Sequence, residues 1–350
     1  MATMFARSAL TTWNNTGSSG SGWSNTSGGA SNGVSPNSST DVVFDSNSGT
    51  ARNIAFTDGL AVGFIPCKSI TTNGAAALTF NNTTIPLQIT AGNIDFTGSN
   101  ATCNIQYTST GTSTVNGGNS TFTSFSNTDG SSAVAVVLSN NLSVSGQLLI
   151  NFLGGAGSFN ANNFNATIDN LSTINSPTLT MGSGTWTITA VSGTPWAIAA
   201  GTVIVPGTST IKFTGSGSGS KTFNGQGKTY ANFWNATTGS GACIIGGGAT
   251  FSNFKIDAGR VQQFQNGTAS VVASVTADGT GGQITLSSDS AGNNAQITKS
   301  GGGTIYVDRC TIQDIHALPS STWYARNSTD VSGNTGITFI PGNSNFASFF

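Results

Sequence analysis

The amino-acid sequence predicts an all-β fold, a single-chain parallel β-helix (β-solenoid) with coils of roughly 20 residues, and three observations carry that expectation. The first is compositional. The 350 residues include 51 Thr, 47 Ser, 47 Gly and 36 Asn, and all 12 acidic residues are Asp, with no Glu. Helical faces are built from Glu, Lys, Leu and Ala, so this composition disfavours an α or α/β fold. The second is a period-2 alternation in short runs such as Val42-Val43-Phe44, Ala77-Leu78-Thr79-Phe80 and Asn104-Ile105-Gln106-Tyr107, with turn residues between them. The third is an internal period. Tyr230-Ala-Asn-Phe233, Phe251-Ser-Asn-Phe254 and Val272-Ala-Ser-Val275 share one form, apolar-x-x-apolar, at offsets of 21 and 21. Ile244, Phe264 and Ile284 follow them at offsets of 20 and 20. One such coil cannot bury its apolar face alone, but a stack of coils can. These nine side chains are the expected core stack, with Thr, Ser and Asn facing water and Gly and Asn at the corners.

Taken in chain order, residues 1–40 form a polar segment in which Trp13 and Trp23 sit among Gly, Ser and Asn. Two Trp in such a matrix point to an attachment segment docked on the first layers of the main domain or on a partner; a cap over the end of the fold is the alternative. Residues 41–320 are the expected solenoid. Phe122-Thr-Ser-Phe125 and Ala161-Asn-Asn-Phe164 read as early copies of the repeat, and Val307-Asp-Arg-Cys310-Thr-Ile312 as a late one. Residues 321–350 are the expected C-terminal cap. Its Phe346, Phe349 and Phe350 are costly to expose, so they are expected in that cap or in a subunit contact.

Charge excludes further classes. Net charge is −1 and the five Arg are scattered at 7, 52, 260, 309 and 326, so no phosphate-neutralising cluster for nucleic acid exists. The longest apolar stretch, Ala133 to Leu138, is strand-sized and far short of the ~18 residues of a membrane span. The first ten residues hold no apolar h-region, so no ordinary signal peptide is expected. Cys67, Cys103, Cys243 and Cys310 match no zinc or redox spacing and are expected as buried free thiols.

No catalytic or metal-binding set is expected, and no cofactor. Asp257 and Asp278 are 21 apart and would stack on adjacent coils, which is costly without a cation between them; Asp-Ala-Gly and Asp-Gly-Thr read more simply as turns. The cluster Asp308-Arg-Cys310-Thr-Ile312-Gln-Asp314-Ile-His316 contains the single His. A continuous strand would put Asp308, Cys310, Ile312, Asp314 and His316 on one face, burying Asp308 unless the strand bends there. A thiol in an apolar column and a surface His are expected rather than a nucleophilic pair. Gly215-Ser-Gly-Ser-Gly219 and Gly246-Gly-Gly248 lack the phosphate-loop ending and read as corners or loops. The Thr-x-Thr of Thr185-Trp-Thr187-Ile-Thr189 is not sustained beyond Thr210, so an ice-matching face is not expected.

The segments Thr222-Phe-Asn-Gly, Phe251 to Gly259, Lys299 to Ile305, Trp323-Tyr-Ala325 and Gly333 to Phe339, with the opening Trp13 and Trp23 segment and Asp41-Val-Val-Phe-Asp45, resemble the Gly/Thr/Asn-rich parallel β-helix proteins of tailed bacteriophages. The resemblance implies a right-handed parallel β-helix in a virion appendage: a tail fibre, a spike or a capsid-surface protein. It implies other virion proteins as partners, a virion location, and weak contacts to host surface glycans. Appendages of this kind are often trimers, so a homo-oligomer is an expectation. The catalytic acidic pairs of glycan-degrading tailspikes find no match here, so a non-enzymatic structural role is expected. A secreted bacterial adhesin is the alternative, and a polysaccharide-degrading tailspike a third.

Overall fold

The computed structural model describes residues 2–7, 10, 13, 22–48, 52–54, 65–73, 78–80, 86–99, 101–108, 111–129, 134–152 and 157–341. Among them the single helical element is the 3-10 turn Ser46–Ser48, and the rest is strand, turn and corner. The strands stack as a parallel β-solenoid. The chain forms two compact units, Met1–Gly184 with Ala199–Val205, and Thr185–Ile198 with Pro206–Phe350.

In the first unit, parallel strands from successive coils pair in sequence, beginning with Ala2–Ala6, Thr40–Phe44, Ser69–Thr72, Ile94–Asp95 and Thr112–Asn116. Their register places Met4, Val42, Ile70, Ile94 and Val115 in one inward column, all buried. On a second face, strands Thr102–Tyr107, Thr121–Asp129, Leu142–Phe152 and Ala166–Ile174 align Cys103, Phe122, Val144 and Ile168. They also align Ile105, Phe125, Leu148 and Leu171, so the Phe122/Phe125 copy is a true coil. Ala161-Asn-Asn-Phe164 is not one. Asn162 and Asn163 have φ of 48° and 69°, the left-handed conformation of a corner, and Phe164 is half-buried.

Trp13 and Trp23 are turned inward. Their exposures are 1% and 0%, and their rings meet edge to face with centroids 5.0 Å apart. Trp23 lies 5.9 Å from Phe44 and Trp13 lies 6.4 Å from Phe80, while Trp23 Nε1 donates to the Trp13 carbonyl at 3.0 Å. Aromatic area of this size gains most by burial. An attachment role for these two indoles therefore has no exposed ring to use; they dock on the first layers of their own unit. Strand Ala2–Ala6 is itself a rung of the sheet, so coil-building starts well before residue 41. At the other end it runs past 320, through Trp323–Arg326, Thr329–Ser332 and Ile337–Ile340. Phe346, Phe349 and Phe350 lie outside the described residues.

The core of the second unit is an aromatic spine. Tyr230 aligns with Phe251 and Val272, and Phe233 with Phe254 and Val275, at the 21-residue offset of the sequence repeat. Phe233 stacks on Phe254 at 5.0 Å and Tyr230 on Phe251 at 5.7 Å, near-parallel in both cases. Val275 is the half-buried end of its column. The second expected column is different. Ile244 faces outward and is half-buried, while Cys243 and Ile245 point in. Phe264 and Ile284 are buried but stand in separate columns: Ile245 pairs with Phe264 and then Ser288, and Ile284 pairs with Cys310. A one-residue slip in register moves a side chain to the opposite face, and the constant offset of 20 concealed such a slip.

Two lysines are buried. Lys221 is 0% exposed, and its Nζ donates to the carbonyls of Gly217 and Gly219 at 2.9 and 3.0 Å. Lys299 is 6% exposed and donates to the carbonyls of Ser300, Gly301 and Gly302. The loops 215–219 and 300–302 thus fold back to supply the acceptors that a buried ammonium requires. Even so, burial pulls Lys221 below its ordinary pKa, partly offset by Cys243.

Removing the Phe233 ring by Phe233→Ala is expected to cost about 3–5 kcal/mol, read from urea unfolding, because stacked partners above and below cannot collapse into the space. All four cysteines are free and buried, and burial raises each thiol pKa, Cys310 to about 12 from an ordinary 9.0. The unfolded chain therefore loses thiol protons first. Stability should be complete below pH 9.0 and fall above it, by about 1.4 kcal/mol per thiol per pH unit. Urea midpoints at pH 8 and pH 10 measure this, and a thiol reagent at pH 8 should react only after unfolding.

Candidate functional site

The outward faces of the second unit repeat from coil to coil just as the core does. On one face Thr187, Lys212, Trp234, Lys255 and Thr276 occupy successive coils in register. Thr276 and Tyr306 precede the paired Ala277 and Val307, and Tyr306 pairs with Tyr324 and then Thr338, which extends the column. The strands alternate, so residues flanked by buried neighbours must point outward. Trp234 is held between two ammonium groups, Lys212 Nζ and Lys255 Nζ, each 3.8 Å from its ring centroid. Tyr306 stacks on Tyr324 at 5.3 Å and carries the Arg326 guanidinium 4.1 Å from its centroid. The faces of Trp234 and Tyr306 are thus taken by cations or another ring, and the column carries fixed positive charge.

Beside it runs a carboxylate column. Asp257 follows Ile256, which pairs with Ala277, and Asp278 pairs with Asp308, so three Asp occupy neighbouring coils. Like charges in such a stack require counter-charge, and it is present. Lys255 lies 3.3 Å from Asp257, and Arg309 lies 3.8 Å from Asp278 and 3.5 Å from Asp308. These are exposed pairs and each adds little stability. Asp278 also takes the Thr280 backbone N–H at 2.8 Å and its hydroxyl at 2.6 Å, as its Asp-Gly-Thr turn predicts. Those hydrogen bonds, helped by Arg309, hold its carboxyl below the usual carboxylate range.

The Asp308–His316 cluster is divided by two corners. Arg309 and Asp314 have φ of 51° and 56°, so the strand bends at both. Asp308 consequently stays outward while Cys310 and Ile312 are buried, and His316 points away between buried Ile315 and Ala317. The bend that would spare Asp308 from burial is real. Cys310 and His316 belong to different strands, and Val307 and Cys310 are likewise separated instead of forming one repeat copy. Asp314 is 4% exposed and accepts the Gly292 N–H at 2.8 Å, whereas Asp308 accepts Asn327 Nδ2 at 2.7 Å. His316 Nδ1 pairs with Thr335 Oγ1 at 2.6 Å. Among the described residues no group of three or more His, Cys or Asp is placed to hold a metal ion.

A third feature is a trough of about 410 Å³ on another face of the second unit. Two outward columns form it: Thr222 with Ile244, and Asn224 with Gly246, continuing through Gln265 to Asp289. Gly246 is the dent. A Cβ there would stand 3.1 Å from the Thr222 methyl and 3.4 Å from Gln265 Oε1, so the missing side chain opens the space. The next residues, Gly247 and Gly248, have φ of 67° and 64° and turn the corner. Gln265 Oε1 accepts the Gly247 N–H at 2.7 Å, which fixes its amide plane, and Asp289 Oδ1 accepts the Asn266 N–H at 2.8 Å.

Sequence reasoning placed Ile244 in the core and did not single out the trough or the Lys–Trp–Lys column. The column had a signal, Lys212, Trp234 and Lys255 at offsets of 22 and 21. The trough had none, because its offsets vary with the corners. No family model, no curated protein and no solved structure matches this chain.

Replacing Trp234 with Leu should lower stability by about 1–2 kcal/mol, as two cation–π contacts of ~0.5–1 kcal/mol each are lost. Lys212→Met and Lys255→Met should each show about half that effect in urea unfolding.

Proposed function

We propose that this chain is a non-enzymatic structural protein of a bacteriophage particle, a β-solenoid carried as a tail fibre, spike or capsid-surface appendage that touches host surface glycans through its polar flanks. The observation that carries the reading is the pairing of a continuous apolar interior with outer columns of hydroxyl and amide groups. Asn232 and Asn253 bond side chain to side chain at 2.7 Å, and Ser274 bonds to Asn253 at 2.7 Å, so an outer face is a rigid ladder of uncharged polar groups. Such a surface stays hydrated with only 7% charged residues. Parallel coils supply stiffness, since strands inside a stack, such as Thr229–Asn235 and Thr250–Ile256, are hydrogen-bonded on both sides. The compositional resemblance to phage β-helix proteins supports the same reading. Its partners are other virion proteins and further copies of the same chain, with a trimer as the first arrangement to test, and its location is the virion.

Mass spectrometry of gradient-purified particles should find the protein at structural stoichiometry, and antibodies against it should decorate the particle surface. Recovery from host culture fluid or the host surface, with none in the particles, would instead establish the adhesin reading. Purified protein should release no sugar from capsule; release abolished by Asp308→Ala would establish the tailspike reading.

A further inference from the structure

We infer that the trough bounded by Asn224, Gln226, Gln265 and Asp289 is a binding site for a neutral oligosaccharide strand lying along the coil axis, an inference that rests on the glycan-contacting reading above. Its volume of about 410 Å³ falls within the ~300–1,000 Å³ of small-molecule sites. Its chemistry is that of sugar recognition. Amides and carboxylates present paired donors and acceptors that match neighbouring hydroxyls. The side chains of Asn224 and Gln226 make no hydrogen bond to the described residues, and they line the trough. Gln265 lines the trough with its carbonyl oxygen engaged by the Gly247 N–H, and its NH₂ remains available as a donor. Asp289 uses one oxygen on Asn266 and retains the other as an acceptor.

The floor is the half-buried Ile244, an aliphatic surface for the C–H face of a pyranose. Length also fits. Asn224, Gly246, Gln265 and Asp289 stand on four successive coils, about 14 Å at the ~4.8 Å spacing of strands, enough for a short run of sugar residues. Charge sets the class. No lining residue is cationic, and Asp289 is an anion, so a uronate, sulfated or phosphorylated sugar meets repulsion without a counter-charge. Lys212 and Lys255 stand on the Trp234 column of a different face.

The test is saturation-transfer NMR on the full chain with maltotetraose, mannotetraose, tetra-N-acetylchitotetraose and trigalacturonate. At least one neutral probe should receive saturation, and Gly246→Thr, which fills the dent with a residue suited to strands, should weaken it at least about tenfold. Asn224→Ala, a change at a side chain with no hydrogen-bond partner among the described residues, should weaken it severalfold while the urea midpoint stays unchanged. Saturation of no neutral probe, equal saturation of trigalacturonate, or binding unaltered by both variants would overturn the inference. The two claims separate cleanly. Particle association without sugar binding removes the trough alone, and sugar binding by a protein missing from particles removes the virion role alone.

Discussion

Side-chain alignment across neighbouring coils is the constraint on which this molecule depends. A parallel strand pair holds equivalent residues at one level, so an inward Phe needs a partner of similar reach directly above and below it. Phe233 over Phe254 and Tyr230 over Phe251 meet that demand with near-parallel rings. The corners need not obey it. Ile245 pairs with Phe264 over 264 − 245 = 19 residues, whereas Ala277 pairs with Val307 over 307 − 277 = 30. Chain length is absorbed outside the sheet, where loops cost little extra entropy as they lengthen.

The same rule governs the polar groups enclosed by the coils. Asn235 is fully buried and donates to Gln262 Oε1 at 3.2 Å, while Thr237 donates to Asn235 Oδ1 at 2.8 Å and Gln262 to the Cys243 carbonyl at 2.9 Å. Asn235 and Gln262 tolerate this position because each finds a partner. Lys221 and Lys299 solve the harder problem of a buried charge by drawing glycine carbonyls inward. Glycine suits that task, since the backbone must approach the ammonium with no side chain in the way. The low charge content of the chain thus conceals two charges that organise loops from within.

Outside, alignment turns single residues into columns. One Trp between two Lys, three Asp with Arg309 among them, and an Asn–Asn–Ser ladder are all consequences of register and not of proximity in the chain. A gap in a column is as meaningful as a side chain. Gly246 interrupts a polar column between Asn224 and Gln265, and the trough exists because of that gap.

By itself the sequence determined the fold class, the inward pairs Phe122/Phe125, Tyr230/Phe233 and Phe251/Phe254, and the free buried thiols, because alternation and a 21-residue offset are local, countable properties. The direction of Ile244 was decided only by the tertiary structure: two coils of unequal corner length can preserve an offset of 20 while shifting the face. Trp13 and Trp23 found their places the same way. Their polar surroundings in the chain say nothing of Phe44 and Phe80, which reach them only after the coils close. The bends at Arg309 and Asp314, which send Asp308 and His316 outward and keep Cys310 inside, depend on left-handed backbone at residues whose side chains do not announce it. Periodicity is written along the chain, but which face each residue occupies is fixed by what the corners do between one strand and the next.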